Sequence, residues 1–371
     1  MQIICSHSEL SPTLSSLSRI VPSRTNLPVL TGCLLKAVDQ NLVLECTDLE
    51  LSLRITIPVQ VNEEGTTVVL AKHFSDLVRR LPDDQISISW SDQNNLLEVQ
   101  CGSLSSNIHT WNYEDFPLTE EKPLDYKISV QASKWKRIIN KMLIAAAQQN
   151  MRANYAGVYM RFDDGLIEFA ATDAYRLAFI KIQNNTDLSD CDLFIPARAL
   201  TELNRLIADG DQLEISWNKG IIHFAANNFL LTSRLINAKF PNYEKVIPTE
   251  HELKIEIPRE AMITTLERAS IFVSENEYFA ISSLQVEGDR LIIKADAVEV
   301  GSLEEIINLK EPVQNSCKAF FNARYLLDPL QVMEQDNVKL CLNGSNGPAV
   351  YIEAGEEEYY LHLVSPVCRV S

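Results

Sequence analysis

Six histidines, eight cysteines and two acidic runs are the first places where this chain could bind a metal or move a proton. His7, His73, His109, His223, His251 and His362 stand apart, with no HxH or HxxxH spacing to bring two imidazoles to one ion. They read as surface or structural histidines. The cysteines (5, 33, 46, 101, 191, 317, 341 and 368) include no CxxC and fall mostly inside strand-like apolar runs, as core thiols of a reduced, cytoplasmic chain do. Asp163-Asp164 runs into a glycine and reads as a turn, and Glu356-Glu357-Glu358 reads as a solvated edge. Phosphate-cradling GxxxxGK[ST] and GxGxxG loops and the GxSxG nucleophile elbow are missing. The chain therefore reads as a non-enzyme, with no metal and no cofactor.

A different stretch, Ala170-Ala171-Thr172-Asp173-Ala174-Tyr175-Arg176-Leu177-Ala178, carries the stronger functional signal. It follows two alternating runs around Asp163-Asp164-Gly165, the pattern of a β-hairpin. The same hairpin occurs over 34–48, ending in Cys46-Thr47-Asp48, and over 283–296, ending in Ala295-Asp296; the aspartates are offset by 125 and 123 residues. A unit of roughly 120 residues is thus written three times, and three domains suit a chain of this length. Tyr175-Arg176-Leu177 breaks the pattern in the middle copy only. An exposed aromatic, an arginine and a leucine together have the composition of a protein-binding hot spot.

Each copy opens with a strand and a helix. Ser8 and Ser133 are the expected N-caps of the first two helices, and Pro258 is expected in the first turn of the third. After the hairpin the pattern predicts one more strand, a second helix and two or three closing strands. Pro329 should kink or end the last of those helices. The stretches Asn112–Pro117 and Phe240–Lys245 read as proline-bearing linkers. The expected fold class is α+β, with two helices on antiparallel sheet in each of three domains, 1–122, 123–249 and 250–371. No apolar run is long enough for a membrane span, and the amino terminus lacks the regions of a signal peptide.

A net charge of −17 excludes a nucleic-acid binder that works by bulk charge. The distribution says more. Of the 33 Lys and Arg residues, 15 fall on or beside the six expected helices, among them Arg19, Arg79, Arg80, Arg137, Lys141, Arg205 and Arg268. Only eight acids lie there, so an acidic chain has helices that lean basic, as a shared polyanion-facing surface requires.

These repeats, with Thr172-Asp173-Ala174-Tyr175-Arg176-Leu177-Ala178 and Phe240-Pro241-Asn242-Tyr243-Glu244-Lys245-Val246-Ile247-Pro248, resemble the bacterial DNA polymerase III beta subunits, the sliding clamps. Phe321–Asp328 and the terminal Ser365-Pro366-Val367 match as well, and the resemblance spans the whole chain. It implies a head-to-tail homodimer, a six-domain ring that encircles duplex DNA without reading its sequence. As a processivity factor, such a ring tethers the replicative polymerase, and it is served by an ATP-dependent clamp loader and other proteins bearing a clamp-binding motif. The resemblance places a hydrophobic peptide pocket at Tyr155, Thr172, Ala174, Tyr175, Arg176 and Leu177. It adds Pro241, Val246, Asn322 and Tyr325, and at the carboxy terminus Val364, Ser365, Pro366 and Val367. The family usually has Gly-His at Ala174-Tyr175 and Met-Pro-Met-Arg-Leu where this chain reads Ser365-Pro366-Val367-Cys368-Arg369. DNA contacts carry over to Arg24, Gln149, Arg152 and Arg198, and the dimer contact to Ile271, Phe272, Glu299, Glu304 and Glu305. Basic partners for those glutamates, expected near 96–105, are not found at Leu96, Gln100, Gly102 or Ser103. That absence favours an alternative reading, a clamp paralogue that serves as a protein-interaction scaffold and never encircles DNA.

Overall fold

The computed structural model describes the chain except residues 83, 93, 119–122, 148–151, 185, 187, 189, 273–280, 298–300, 356–357 and 368–371. The first repeat contains β1 (Gln2–Ser6), α1 (His7–Ser18), β2 (Gly32–Val38), β3 (Asn41–Thr47), β4 (Leu51–Pro58), β5 (Gln60–Glu63), β6 (Gly65–Leu70), α2 (Ala71–Val78), β7 (Gln85–Ser91), β8 (Leu96–Cys101) and β9 (Leu104–Trp111). The second contains β10 (Tyr126–Gln131), α3 (Ala132–Leu143), β11 (Gly157–Asp163), β12 (Leu166–Thr172), β13 (Arg176–Gln183), β14 (Cys191–Pro196), α4 (Ala197–Leu206), β15 (Gln212–Trp217), β16 (Ile221–Ala226) and β17 (Phe229–Arg234). The third contains β18 (Leu253–Pro258), α5 (Arg259–Ile271), β19 (Ile281–Glu287), β20 (Arg290–Ala297), β21 (Gly301–Asn308), β22 (Cys317–Asn322), α6 (Ala323–Val332), β23 (Asn337–Leu342), β24 (Ala349–Ala354) and β25 (Glu358–Val364).

The three hairpins form where the alternation and turn residues place them. The expected single strand between hairpin and second helix is a pair, β13 with β14 and β21 with β22, and in the first repeat a trio, β4 to β6. Short polar runs such as Val61-Asn62-Glu63 carry too little alternation to be seen as strands. Helix starts also differ by a residue or two. Ser6 rather than Ser8 caps α1, accepting from the Ser8 N–H at 3.2 Å. Ser133 lies inside α3, and Pro258 is the residue before α5. Pro329 sits within α6, which runs on to Val332.

Sheet pairing crosses the repeats. All pairs are antiparallel, and β17 joins β4 with Leu231 opposite Leu53, while β13 joins β25 with Leu177 opposite Leu363. One sheet of 13 strands therefore includes the first repeat and β10, β15, β16 and β17, and one of eight strands holds β11 to β14 with β18 and β23 to β25. The chain accordingly packs as two compact bodies that divide the middle repeat: Met1–Ser133 with Glu202–Leu235, and Lys134–Thr201 with Ile236–Ser371.

Phe240–Lys245 is no free linker. Phe240 and Tyr243 are buried in one apolar cluster with Leu177, Val350, Leu361 and Leu363, and Phe240 stacks on Tyr159 with centroids 5.1 Å apart. The Tyr243 hydroxyl donates to Glu168 at 2.9 Å, and Arg161 bonds both Glu168 and Glu244. Phe116 likewise packs on Leu34 and Val68. Each large aromatic buried this way removes apolar area worth roughly 2–3 kcal/mol, enough to anchor the segment.

Candidate functional site

The Thr172–Arg176 turn is built from side chains that bond their own backbone. The Thr172 hydroxyl donates to the Arg176 carbonyl at 2.6 Å and accepts the Ala174 N–H at 3.1 Å. Asp173 Oδ1 accepts the N–H groups of Tyr175 and Arg176, each at 3.0 Å. Such Asx and ST bonds replace the ladder bonds that a strand end lacks. They also hold Ala174 at a φ of +77°, where a Cβ is disfavoured.

Arg176 then reaches into the third repeat. Its guanidinium bonds Asp173 Oδ2 at 2.9 Å and Asp328 on α6, and lies 4.2 Å from the centre of the Tyr325 ring. Burial, helped by Asp173, pushes the Tyr325 phenol up. Asn322 caps α6 by accepting the Arg324 N–H at 2.9 Å. The carboxy-terminal segment is pinned alongside: the Ser365 N–H donates to the Tyr175 carbonyl at 2.9 Å and the Val367 N–H to the Phe320 carbonyl at 2.8 Å.

Register decides which side chains share a face. Residues directly opposite in an antiparallel pair point the same way, so Leu177, Leu363 and Val350 form one row, while Arg176 and Val364 lie on the other face. Of the Tyr175-Arg176-Leu177 trio, expected to be exposed together, only Tyr175 is exposed; Leu177 is 2% exposed and belongs to the core. Val246 stands out at 55% exposure, beside Ile247, which packs on the Leu177 cluster. Pro241, Tyr155, Ser365, Pro366 and Val367 are half-buried, Thr172 is buried and Ala174 exposed. Leu363, Val350 and Ile247 were not singled out from the sequence. The alternation of Leu361 and Leu363 along β25 is the signal that finds two of that row's neighbours.

Under the other face of β25 lies a buried polar network. Lys141 on α3 is buried and donates to Glu353 at 2.6 Å and Glu358 at 2.7 Å, with its ammonium 4.9 Å from the Tyr360 ring centre. Burial pushes the Glu353 carboxyl up, but the Lys141 ammonium and the Glu334 and Gln335 N–H groups more than offset it and hold it low. His362 is fully buried beside the Tyr360 hydroxyl at 3.2 Å; burial, with Arg176, lowers its pKa to about 3, so the ring is neutral. Lys141 therefore cannot belong to a basic helix face. Other helix cations are also engaged: Arg19 and Arg205 with Glu202, Arg79 and Arg80 with Asp76, Arg137 with Glu334 and Glu358, and Arg268 with Glu305.

Arg24 is exposed in the loop after α1, and Arg152 is exposed ahead of the short 3-10 turn Ala153–Tyr155. Arg198 is half-buried on α4 and has an interaction partner; Gln149 lies outside the described residues. Ile271, 66% exposed, ends α5, and Phe272 follows it. Glu304 on β21 pairs with Lys294 at 2.6 Å, Glu305 is taken up by Arg268 and by the Thr265 hydroxyl at 3.0 Å, and Glu299 lies outside the described residues. Among the described residues, no cluster of three His, Cys, Asp or Glu could hold a metal, and no helix is long and apolar enough to cross a membrane.

Residues 1–120, 129–242 and 244–367 match, in turn, the N-terminal, central and C-terminal domains of the DNA polymerase III beta subunit. The chain is 29% identical to the beta sliding clamp of Synechococcus elongatus, with 99% of each chain covered. It is 26% identical to that of Staphylococcus epidermidis, covering 97% of this chain and 96% of the relative. Among solved structures, the DNA polymerase III subunit beta of Pseudomonas aeruginosa superposes with a TM-score of 0.90 at 29% identity, covering 99% of this chain and 100% of that one. A sliding clamp from the same organism bound to griselimycin also gives 0.90, at 28% identity and 99% coverage of both chains. A Bacillus subtilis sliding clamp gives 0.92 at 23% identity, with 99% coverage of both, and speaks for the fold alone. With all three of its domain types matched in order along the repeats, the chain belongs to the DNA polymerase III beta subunit family, the beta sliding clamps.

Proposed function

We propose that this sliding clamp works as a homodimeric ring around duplex DNA and tethers the replicative polymerase without chemistry of its own. One observation carries the ring. The strand pairs β4–β17 and β13–β25 each join one repeat to the next. Among the described residues, β21 stands at the end of its sheet and the Leu104–His109 part of β9 is bonded along one side only. A head-to-tail pair of chains would satisfy both edges twice, a closed two-fold assembly. Leu104 and Ile306, 38% and 46% exposed on those edges, would then be covered, with Ile271 and Phe272 beside them. Glu304 and Glu305 spend their charge within the chain, so closure rests on backbone bonds and apolar contact more than on ion pairs. Three clamp domains with boundaries near 122 and 249 are part of this reading.

The DNA-facing set is Arg24, Arg152, Arg198 and Gln149, a sparse set suited to a ring that must slide. The client site is the surface around Tyr175, Val246 and Pro366, floored by the Leu177 and Leu363 row, where a peptide from a polymerase, clamp loader or other client would insert apolar side chains. One or two buried side chains give roughly 1.5–3 kcal/mol each, the apolar share of a weak tether to which main-chain bonds would add.

The decisive test is topological. Purified protein should have about twice the mass of 41.9 kDa. Loaded onto nicked circular DNA it should stay, and it should run off when the circle is cut. Ile306→Lys should give monomers that are not retained. A monomeric wild type, or equal retention on linear and circular DNA, would overturn the ring and leave the scaffold reading. Val246→Asp should weaken a polymerase-derived peptide more than tenfold with the dimer intact; Leu177→Asp, at a buried position, would strike the core instead.

A further inference from the structure

Val246 and Pro241 bring apolar surface to the client site from a stretch between β17 and β18 that has no strand or helix of its own. Such a stretch keeps one shape only where its side chains are held. The holding groups form a row across three neighbouring strands. Arg161 on β11 stands directly opposite Glu168 on β12, and Glu168 directly opposite Lys181 on β13. Partners opposed in antiparallel register share a face, so the row reads plus, minus, plus. Tyr159 and Phe179, two residues along the same face, each lie beside the Tyr243 ring, with centroids 6.2 and 5.6 Å away.

Tyr243 joins this row to the client surface. Its hydroxyl donates to Glu168 at 2.9 Å, and its carbonyl accepts the Val246 N–H at 3.2 Å. Arg161 Nη2 bridges Glu168 at 2.5 Å and Glu244 at 2.8 Å, so two adjacent residues of the stretch are tied to one carboxylate–guanidinium pair. Lys181 adds a contact to Glu168 at 3.1 Å. Burial pushes the Glu168 carboxyl up, but the Tyr243 hydroxyl, Lys181 and Arg161 more than offset it and hold it low. The Phe240 and Tyr243 rings already anchor the stretch by apolar burial, and a buried ion pair adds little stability beyond that. What it adds is direction. Charged hydrogen bonds fix where the Tyr243 hydroxyl sits, and Tyr243 fixes the turn that leaves Val246 in water beside the packed Ile247.

We propose that Arg161 and Glu168 are positioning residues of the client site, holding the Tyr243–Val246 turn in the shape that a client's apolar side chain meets. They act through Tyr243 and Glu244, not by contact with the client. A turn ordered before binding spares the complex the cost of ordering it. This role presupposes the client site proposed above and extends it to the strands that carry the turn.

The test titrates full-length protein with the polymerase-derived peptide used for Val246→Asp, fluorescently labelled, at a temperature well below the unfolding midpoint. Arg161→Met keeps the stem and removes the fork, and should weaken the peptide about fivefold. Arg161→Lys, which keeps one ionic contact, should recover part of that loss. Glu244→Gln, at an exposed position where folding is not at stake, should weaken the peptide about twofold and add nothing to Arg161→Met. In a Val246→Ala background Arg161→Met should have no further effect, because it acts through that side chain. Peptide affinity unchanged by Arg161→Met, even with a lowered urea midpoint, would reduce the row to a structural role and overturn the proposal. The same fivefold loss in the Val246→Ala background would overturn it too. Should Arg161→Met fail to fold, full affinity in both Arg161→Lys and Glu244→Gln would do so instead. Val246→Asp at full affinity would overturn the client site and this role with it; a weakened Val246→Asp beside an unweakened Arg161→Met would overturn the positioning role alone.

Discussion

At the first junction the Thr47-Asp48 turn presents Leu49, Glu50 and Leu51; at the second, Thr172-Asp173 presents Ala174, Tyr175 and Arg176. The backbones bond alike: the Thr47 hydroxyl donates to the Leu51 carbonyl and accepts the Leu49 N–H, Asp48 Oδ1 accepts the N–H groups of Glu50 and Leu51, and Leu49 has a φ of +77°, as Ala174 has. The Thr-Asp pair alone therefore sets the geometry. The third residue after the aspartate then decides what the junction becomes. Leu51 is 3% exposed and simply fills core. Arg176 cannot be buried alone, and its charge is met by Asp173, Asp328 and the Tyr325 ring. One junction is thus closed by apolar packing. The other is closed by a half-buried ionic cluster that ties the turn to α6.

That contrast is broken most sharply at the aspartates. Asp173→Ala removes two backbone bonds and one of the two carboxylates that meet the half-buried Arg176, and should cost about 2–4 kcal/mol. Asp48→Ala removes the matching backbone bonds with a leucine in the arginine's place, and should cost about 1–2 kcal/mol. Equal shifts in urea midpoints would show that the ionic cluster adds nothing to the second junction.

Acid should separate the two regions next. His362 on β25 lies opposite Ala178, whereas the matching position on β17 holds the apolar Leu231. The folded imidazole titrates near 3 and the unfolded one near 6.5. Between those values the unfolded chain binds more protons, so stability falls as pH falls, by up to about 1.4 kcal/mol per pH unit. His362→Leu should flatten that slope. Hydrogen exchange on β24 and β25 at pH 6.5 and pH 4.5 should show loosening in the wild type, with β4 and β17 less affected. Glu353 adds a second loss only below its ordinary value of 4.5, because its folded pKa is lowered.

The smallest effect sharpens what the junctions share. Ala174→Gly and Leu49→Gly each relieve a side chain at positive φ, against some added freedom in the unfolded chain. Each should leave stability unchanged or raised by up to about 1 kcal/mol. A clear loss at either site, read from thermal midpoints, would mean that the Cβ makes a contact outweighing the strain.

The repeats, the hairpins and the Thr-Asp turns were legible in the chain itself, because alternation, turn residues and self-bonding side chains act within a few residues. Phe240 and Tyr243 looked like linker because proline and asparagine beside them are turn residues, and nothing local says that Tyr159 and Glu168 wait to receive them. Lys141 looked like a surface base because its acids lie more than 200 residues away on β24 and β25. Leu363, not Val364, is the neighbour of Leu177 because side chains alternate faces and a shift of one residue exchanges them. The sharing of the middle repeat between two sheets is of the same kind, since β4 and β13 choose strands from the next repeat. Local chemistry wrote the elements; register between strands distant in sequence, which only the folded chain sets, decided which side chains meet.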